Sequence, residues 1–275
     1  MKKLFYFIII LIFGACSITS EEDKTNYGTN EGTASSPVEL TVGTAKNGTV
    51  SRSGYSYYKF TTSSGAGSYK LNIASLAISD SYYSSASLYT QLYSNSGYTS
   101  SSRIDAESCL ASCTLVFNYE NLDASKTYYL KLYGYGAGTY SLTVSQGGSE
   151  GSKNNPVELT LGAVHTGGKV EGYDYYSYNR GNSYYKFTTT SADNYTLSMN
   201  NSDSLDCYLY SDSAFSSLVS NTHNGCTAGT NLSTTFKGIK GTGLSASTTY
   251  YLEIEQQAST ATTTTYDNMT VAAEG

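Results

Sequence analysis

Tryptophan is absent from this chain, and proline and histidine each occur only twice in 275 residues. Each scarcity narrows what the protein can be. Its two histidines, His165 and His223, stand in no zinc-type spacing with one another or with the cysteines, and the chain has no His-Glu-x-x-His motif. Clusters of Lys and Arg are lacking, which argues against nucleic acid and anionic headgroups as partners. No glycine-rich phosphate loop and no paired-carboxylate pattern can be read. The longest apolar run, Leu4 to Phe13, is too short to cross a bilayer, which takes roughly 20 residues. Helix-type patterning is also missing. In its place are 29 tyrosines and 26 glycines, with many Ser and Thr, in short alternating segments.

The N-terminus has the layout of a signal peptide: Lys2 and Lys3, the apolar run, then Gly14 and Ala15 before Cys16. Small residues followed by cysteine resemble the bacterial lipobox, with Phe13 where most have Leu, a looseness similar to that of spirochaetal lipoproteins. The resemblance implies diacylglycerol on Cys16, export, and a lipid anchor in the cell envelope, at the outer membrane by analogy from Ser17. Cleavage after Ala15 leaves 14 cations against 22 carboxylates, a net charge of −8. From residue 16 to 34 the chain is polar and reads as a lipidated, flexible tether.

Beyond the tether the chain repeats itself. Pro37-Val38-Glu39-Leu40-Thr41 returns as Pro156 to Thr160, and Tyr57-Tyr58-Lys59-Phe60-Thr61-Thr62 as Tyr184 to Thr189. Leu122-x-Ala124-Ser125-x-Thr127-Tyr128-Tyr129-Leu130 returns as Leu244 to Leu252. Three blocks in the same order, over a period far longer than a solenoid repeat, make a tandem domain duplication. The expected organisation is signal peptide 1–15, tether 16–34, first repeat 35–146, linker 147–153 and second repeat 154–275.

Period-2 alternation sets the inward residues: Tyr58 and Phe60; Tyr69, Leu71 and Ile73; Leu88, Thr90 and Leu92; Tyr128, Leu130 and Leu132. Their second-copy counterparts include Tyr185, Phe187, Leu197, Cys207, Leu209, Tyr250 and Leu252. Outward residues are then Tyr57, Lys59, Tyr129, Lys131 and Tyr133, matched by Tyr184, Lys186, Tyr251, Glu253 and Glu255. Near the end, Tyr266 is one residue out of step with Tyr140, which predicts a β-bulge. The fold class is all-β: two tandem antiparallel, jelly-roll-like β-sandwiches.

Four cysteines follow Cys16, two per repeat. An exported chain with an even count per domain favours disulfides Cys109–Cys113 and Cys207–Cys226. Cys109 and Cys226 each lie sixteen residues after the tyrosine of a shared Leu-Tyr-Ser, and so are equivalent. Their partners differ, because Cys207 aligns with Thr90.

The opening Pro-Val-Glu-Leu, Tyr-Tyr-Lys-Phe-Thr-Thr, the strand Asp206-Cys207-Tyr208-Leu209-Tyr210 and the closing Thr-Tyr-Tyr-Leu resemble the bacterial pre-peptidase C-terminal domain. That resemblance implies a β-sandwich of the kind found beside secreted proteases and collagenases, some members of which bind calcium and collagen or polysaccharide. The acidic linker that supplies calcium ligands in collagen-binding members has no counterpart here. Asp203 and Asp206 are the nearest candidates, with Asp80 in the first copy, and no cofactor is expected.

Gly147-x-Ser149-x-Gly151 fits the serine-hydrolase elbow on paper but lies where the linker is expected, with no helix to follow, so no enzyme is expected. The sequons at Asn47 and Asn231 carry little weight in a bacterial lipoprotein. Tyrosine clusters remain: Tyr55 to Tyr58, Tyr82-Tyr83, Tyr133 to Tyr135 and Tyr173 to Tyr178. Neighbours on a strand point to opposite faces, so some phenols face water, where rigid rings with a polar tip suit protein or sugar contacts. The expected ligand-contacting residues are Tyr55, Tyr57, Tyr129, Tyr133, Tyr184, Tyr208, Tyr210 and Tyr251. A surface-displayed binding lipoprotein is the leading expectation, and a structural envelope component the alternative.

Overall fold

The computed structural model describes residues 29–79, 87–110, 112–171, 181–201, 205–226, 229–236, 243–256 and 263–274. The signal peptide, Cys16, Asp80, Tyr82, Tyr83, Asp203 and Tyr173 to Tyr178 lie outside them. The first repeat consists of β1 (Val38–Glu39), β2 (Lys46–Val50), β3 (Tyr55–Thr61), β4 (Gly67–Ser79), β5 (Leu88–Tyr93), β6 (Arg103–Cys109), β7 (Cys113–Leu122), β8 (Thr127–Gly134) and β9 (Ala137–Glu150). The second repeats the series as β10 (Val157–Glu158), β11 (Gly168–Glu171), β12 (Asn182–Thr188), β13 (Tyr195–Asn201), β14 (Leu205–Tyr210), β15 (Leu218–Cys226), β16 (Gly229–Phe236), β17 (Thr249–Gln256) and β18 (Thr263–Ala273). Among the described residues the only helical element is a 3-10 turn, Ser100–Ser102.

Each repeat folds as two sheets. The first has the orders β1-β3-β8-β5-β6 and β2-β9-β4-β7; the second has β10-β12-β17-β14-β15 and β11-β18-β13-β16, the same topology strand for strand. Pairing is antiparallel except where the two-residue β1 and β10 lie parallel to β3 and β12. One apolar cluster fills the space between the sheets of each repeat, and the predicted inward residues occupy it, except that Thr90 is buried as a polar side chain. The bulge also falls where the slip of Tyr266 places it: Ser198 faces Thr270 but Asn200 faces Asp267, with Asn268 at a φ of 55°.

Tyrosine fills this core because its phenol reaches the end of the sandwich and finds a partner there. Tyr128 Oη accepts the Asp123 amide at 2.9 Å, and Tyr250 Oη accepts that of Ser245 at 3.0 Å, pinning equivalent turns. Tyr69 Oη accepts the Ser63 amide at 2.8 Å. Tyr58 and Tyr140 join hydroxyl to hydroxyl at 3.0 Å, and Tyr185 and Tyr266 are joined in the same way. Phe60 packs between Tyr69 and Tyr128, each 6.0 Å away, and Phe187 sits likewise between Tyr195 and Tyr250.

The recurring sequence blocks meet around this core. Lys59 pairs with Glu39 at 3.1 Å, and Lys186 with Glu158 at 3.1 Å. Thr61 bonds Thr127 and Thr188 bonds Thr249, both at 2.9 Å. Thr62 donates to the Asp123 carbonyl and accepts the Lys126 amide, closing the β7–β8 turn; Thr189 does the same at the β16–β17 turn through Ser245 and Thr248.

Cys109 and Cys113 form a disulfide joining β6 of one sheet to β7 of the other. Cys207 is also disulfide-bonded. The equivalence of Cys109 and Cys226 holds in the register, since they face Leu88 and Leu205 respectively.

Two expectations about the connecting segments need correction. Residues 147–150, read as linker, are the last four of β9, and Glu150 is paired with Gly67 of β4. Residues 29–36, read largely as tether, are tied into the first sandwich: the Glu31 amide donates to Ser56 Oγ, and Thr33 bridges Ser36. The same node recurs between the repeats, where the Glu150 amide donates to Ser183 Oγ and Ser152 pairs with Asn155. Gly32 and Gly151 turn the chain there, at φ of 63° and 66°. Backbone pairing rather than apolar burial holds these segments, so polar composition did not predict their state.

The joint between repeats is densely bonded. The side chain of Glu171 is 3% exposed; it pairs with Lys70 and accepts Ser68 Oγ at 2.7 Å and the Gly148 amide at 3.1 Å. Asn121 Nδ2 donates to the carbonyls of Gly151 and Asn182 at 2.8 and 2.7 Å. Asp123 receives Ser152 Oγ at 2.7 Å, Asn154 Nδ2 at 3.1 Å and Lys126 Nζ at 3.3 Å.

Two outcomes follow from this architecture. Tyr128→Ala removes a buried ring and a turn anchor, and should destabilise the first sandwich by about 3 to 5 kcal/mol in denaturant melts; a loss below about 1 kcal/mol would contradict its place in the core. At Asp123, partial burial opposes ionisation, but the donors Ser152, Asn154 and Lys126 outweigh it and hold the carboxyl below its ordinary value. A depressed carboxyl stabilises fully above the unfolded value near pH 4, and that stabilisation is lost as pH falls through the lower folded value. Asp123→Asn should therefore lower the Tm at pH 7, with the gap to the parent closing in the acid range below pH 4. A gap independent of pH would show that the ionised carboxylate is not what holds this turn.

Candidate aromatic binding face

The outer face of the five-stranded sheet in the first sandwich is built in rows by the register of β3, β8 and β5. Tyr55, Tyr133 and Tyr89 stand side by side, as do Tyr57, Lys131 and Gln91, and then Lys59, Tyr129 and Tyr93. From the loop after β5, Tyr98 folds back over the sheet at a φ of 48°. Asn95 shapes that loop by accepting the Gly97 amide through its side chain at 2.9 Å.

These rings form one continuous chain. Tyr135 lies 4.8 Å from Tyr133, Tyr133 5.0 Å from Tyr55, and Tyr55 6.3 Å from Tyr57. Tyr98 then stands 5.1 Å from Tyr57, 5.2 Å from Tyr93 and 6.0 Å from Tyr129, meeting all three edge to face. At the open end Tyr55 is 42% and Tyr135 50% exposed, so those rings are accessible. Lys131 Nζ lies 4.1 Å over the Tyr55 ring, a cation–π contact.

The Tyr98 hydroxyl is buried with no hydrogen-bond partner among the described residues. Burial, and then the neighbouring phenols of Tyr57, Tyr129 and Tyr93, push its pKa up to about 12.

The second sandwich carries the same grid with other residues. Asn182, Glu255 and Asp206 form one row, Tyr184, Glu253 and Tyr208 the next, and Lys186, Tyr251 and Tyr210 the third. Phe215 takes the place of Tyr98, at a φ of 53° and 5.0, 5.5 and 5.6 Å from Tyr184, Tyr210 and Tyr251. The ring cluster is thus kept while three of the remaining positions turn acidic, Tyr133 to Glu255, Lys131 to Glu253 and Tyr89 to Asp206. Tyr210 donates to Glu253 at 3.0 Å and Tyr208 to Asp206 at 3.3 Å. Burial and then the adjacent carboxylates raise the pKa of both phenols.

Of the predicted contact residues, Tyr55, Tyr57, Tyr129 and Tyr133 come together on one accessible face. Tyr184 does not belong with them, because it is fully buried beneath Phe215 and near Lys153, whose Nζ is 6.0 Å from its ring. Tyr208, Tyr210 and Tyr251 are half-buried on the second face. Strand parity correctly put Tyr184 on the outer side of β12, but parity says nothing of what covers that side. Tyr98, the centre of the first cluster, was missed. The available signal was its alignment with Phe215, each five residues after the tyrosine of the shared Leu-Tyr-Ser.

The calcium candidate Asp206 is fully buried, and no group of three or more His, Cys, Asp or Glu side chains is placed to hold a metal among the described residues. Ser149 lies within β9 at 3% exposure, where its hydroxyl accepts the Glu171 amide at 2.9 Å. His165 places Nε2 2.9 Å from Glu150 Oε2, and its ring packs on Tyr185.

Comparison with protein-family models and with curated proteins finds no match. Among solved structures, the chain is 9% identical to tripeptidyl peptidase 2 with a TM-score of 0.28, over 86% of this chain and 24% of that one, so it spans about a quarter of that protein. A fucolectin from striped bass (Morone saxatilis) serum gives 9% identity and a TM-score of 0.27, over 82% and 86% of the two chains. The CUB1-EGF-CUB2 domains of rat MASP-1 give 10% and 0.23, over 84% and 99%.

Because Phe215 performs the packing role of Tyr98 without a hydroxyl, Tyr98→Phe should keep the ring cluster and remove an unsatisfied polar group. A gain of about 1 kcal/mol in the stability of the first sandwich is expected in chemical denaturation. A loss of similar size would mean that the hydroxyl has a partner.

Proposed function

We propose that the chain is a surface-displayed bacterial lipoprotein, anchored through Cys16 in the outer membrane, whose two sandwiches are of pre-peptidase C-terminal type. In this reading the first sandwich is the binding module, contacting an extracellular protein or glycan through its tyrosine face. The observation that carries it is the unbroken chain of rings from Tyr135 to Tyr93, open at Tyr55 and Tyr135. Rigid aromatic side chains give contact area at low entropic cost, and an exposed patch of them exceeds what packing requires. The second sandwich, with Tyr184 buried and its grid acidic, supports the module rather than duplicating its specificity. The bonding around Glu171 favours a second reading, a structural envelope lipoprotein, in which the joint rather than the face is the purpose of the fold.

Purified full chain in detergent, screened against immobilised matrix proteins and glycan arrays, separates the two. Saturable binding that falls at least tenfold in the Tyr55→Ala/Tyr135→Ala double variant, with an unchanged thermal melt, supports the binding module. Binding that ignores both substitutions, or none at all, favours the structural reading.

A further inference from the structure

We infer that the occupant of the tyrosine face is an acidic polysaccharide; this deepens the binding-module reading and rests on it. The first observation is chemical. On β3, β8 and β5 the outward rows contain tyrosine, lysine and one glutamine, and no aliphatic side chain. A protein partner is usually gripped by a mixed apolar core, whereas a sugar offers flat C–H faces to stack on rings and hydroxyls to hydrogen-bond. Phenols, the Gln91 amide and ammonium groups laid flat on a sheet match the second chemistry.

Charge fixes the kind of sugar. The chain as a whole carries a net charge of −6, yet no carboxylate stands in these three rows. Lys59 is paired with Glu39 from the neighbouring β1, but Lys131, at the middle of the face, makes no ion pair among the described residues and rests on the Tyr55 ring. A lysine with no ion pair among the described residues, set among stacking rings in an acidic protein, complements an anionic group held close to a sugar ring. The second sandwich supplies the contrast. Glu253 stands where Lys131 is, Glu255 where Tyr133 is and Asp206 where Tyr89 is, so the same grid is acidic where the first is basic or neutral.

The test measures binding of the purified full chain in detergent to hyaluronate, to chondroitin sulfate, to neutral dextran of similar length, and to poly-glutamate. Saturable binding to hyaluronate or chondroitin sulfate is expected, weakening as salt rises. Lys131→Met should reduce that affinity on the order of tenfold, the loss of one charge-assisted contact, while Lys186→Met on the second sandwich should leave it unchanged. Thermal melts of both variants check that each is folded. Dextran bound as tightly as the acidic polymers would overturn the charge assignment, and poly-glutamate bound as tightly would overturn the sugar. If no polysaccharide binds but a protein does so through Tyr55 and Tyr135, the inference fails while the binding-module reading stands. If no ligand of any class binds, both fail.

Discussion

In each sandwich four tyrosines share the core with aliphatic side chains, and every phenol buried there needs a partner. That constraint organises this molecule. The hydroxyls of Tyr69, Tyr128 and Tyr250 are satisfied by turn amides, so the rings that fill the core also fix the turns that bring the next strand into register. Where no turn is within reach, two phenols satisfy each other, as in Tyr58 with Tyr140. Leaving such a group unpaired costs about 1 to 3 kcal/mol, comparable with a sizeable share of a domain's net stability. The three recurring sequence blocks are parts of one such node: a lysine for the glutamate of β1, a threonine for the turn, and rings stacked between them.

Much of this was legible in the sequence because period-2 alternation and internal duplication check each other. The inward sets, the β18 bulge and the alignment of Cys109 with Cys226 all followed from comparing the two copies. What was not legible is of two kinds. Parity gives the side of a sheet but not its cover, so Tyr57 and Tyr184 look alike in sequence while one is half-buried and the other wholly buried. Composition, in turn, misjudges polar segments held by their backbone. Glu31-Gly32 and Glu150-Gly151 stand six residues before their prolines in both copies, so the duplicated block begins earlier than Pro37 and Pro156. That longer match marks the segments as part of the fold rather than as tether and linker.

The joint shows what duplication made possible. In the first repeat Asn30 Oδ1 accepts the Ser51 amide at 2.9 Å; in the second, Ser149 Oγ accepts the Glu171 amide in the same arrangement. At the second site the accepting residue belongs to β9, the last strand of the first sandwich, so one segment closes one domain and opens the next. Glu171, standing where the first repeat has Ser51, turns that overlap into a lock by reaching Ser68 and Lys70. Gly147 is required beside it, since a Cβ there would collide with the Glu171 carboxylate and with Ser68. A buried carboxylate is costly unless its lone pairs are filled, and here a hydroxyl, a backbone amide and an ammonium fill them.

With the core and joint so constrained, the outer face of each five-stranded sheet is where the copies were free to diverge. Its residues alternate with core positions but do not pack the core, so substitutions there change surface chemistry without disturbing the node beneath. Phe215 and Tyr98 mark the boundary of that freedom: the ring is kept in both copies because three neighbours pack on it, while the hydroxyl is kept only in the first. The rows farther out show the wider change, from Tyr133, Lys131 and Tyr89 to Glu255, Glu253 and Asp206. One sheet geometry therefore carries an open aromatic face with a basic centre and a half-buried acidic one, and the difference lies in side chains that the fold itself does not use.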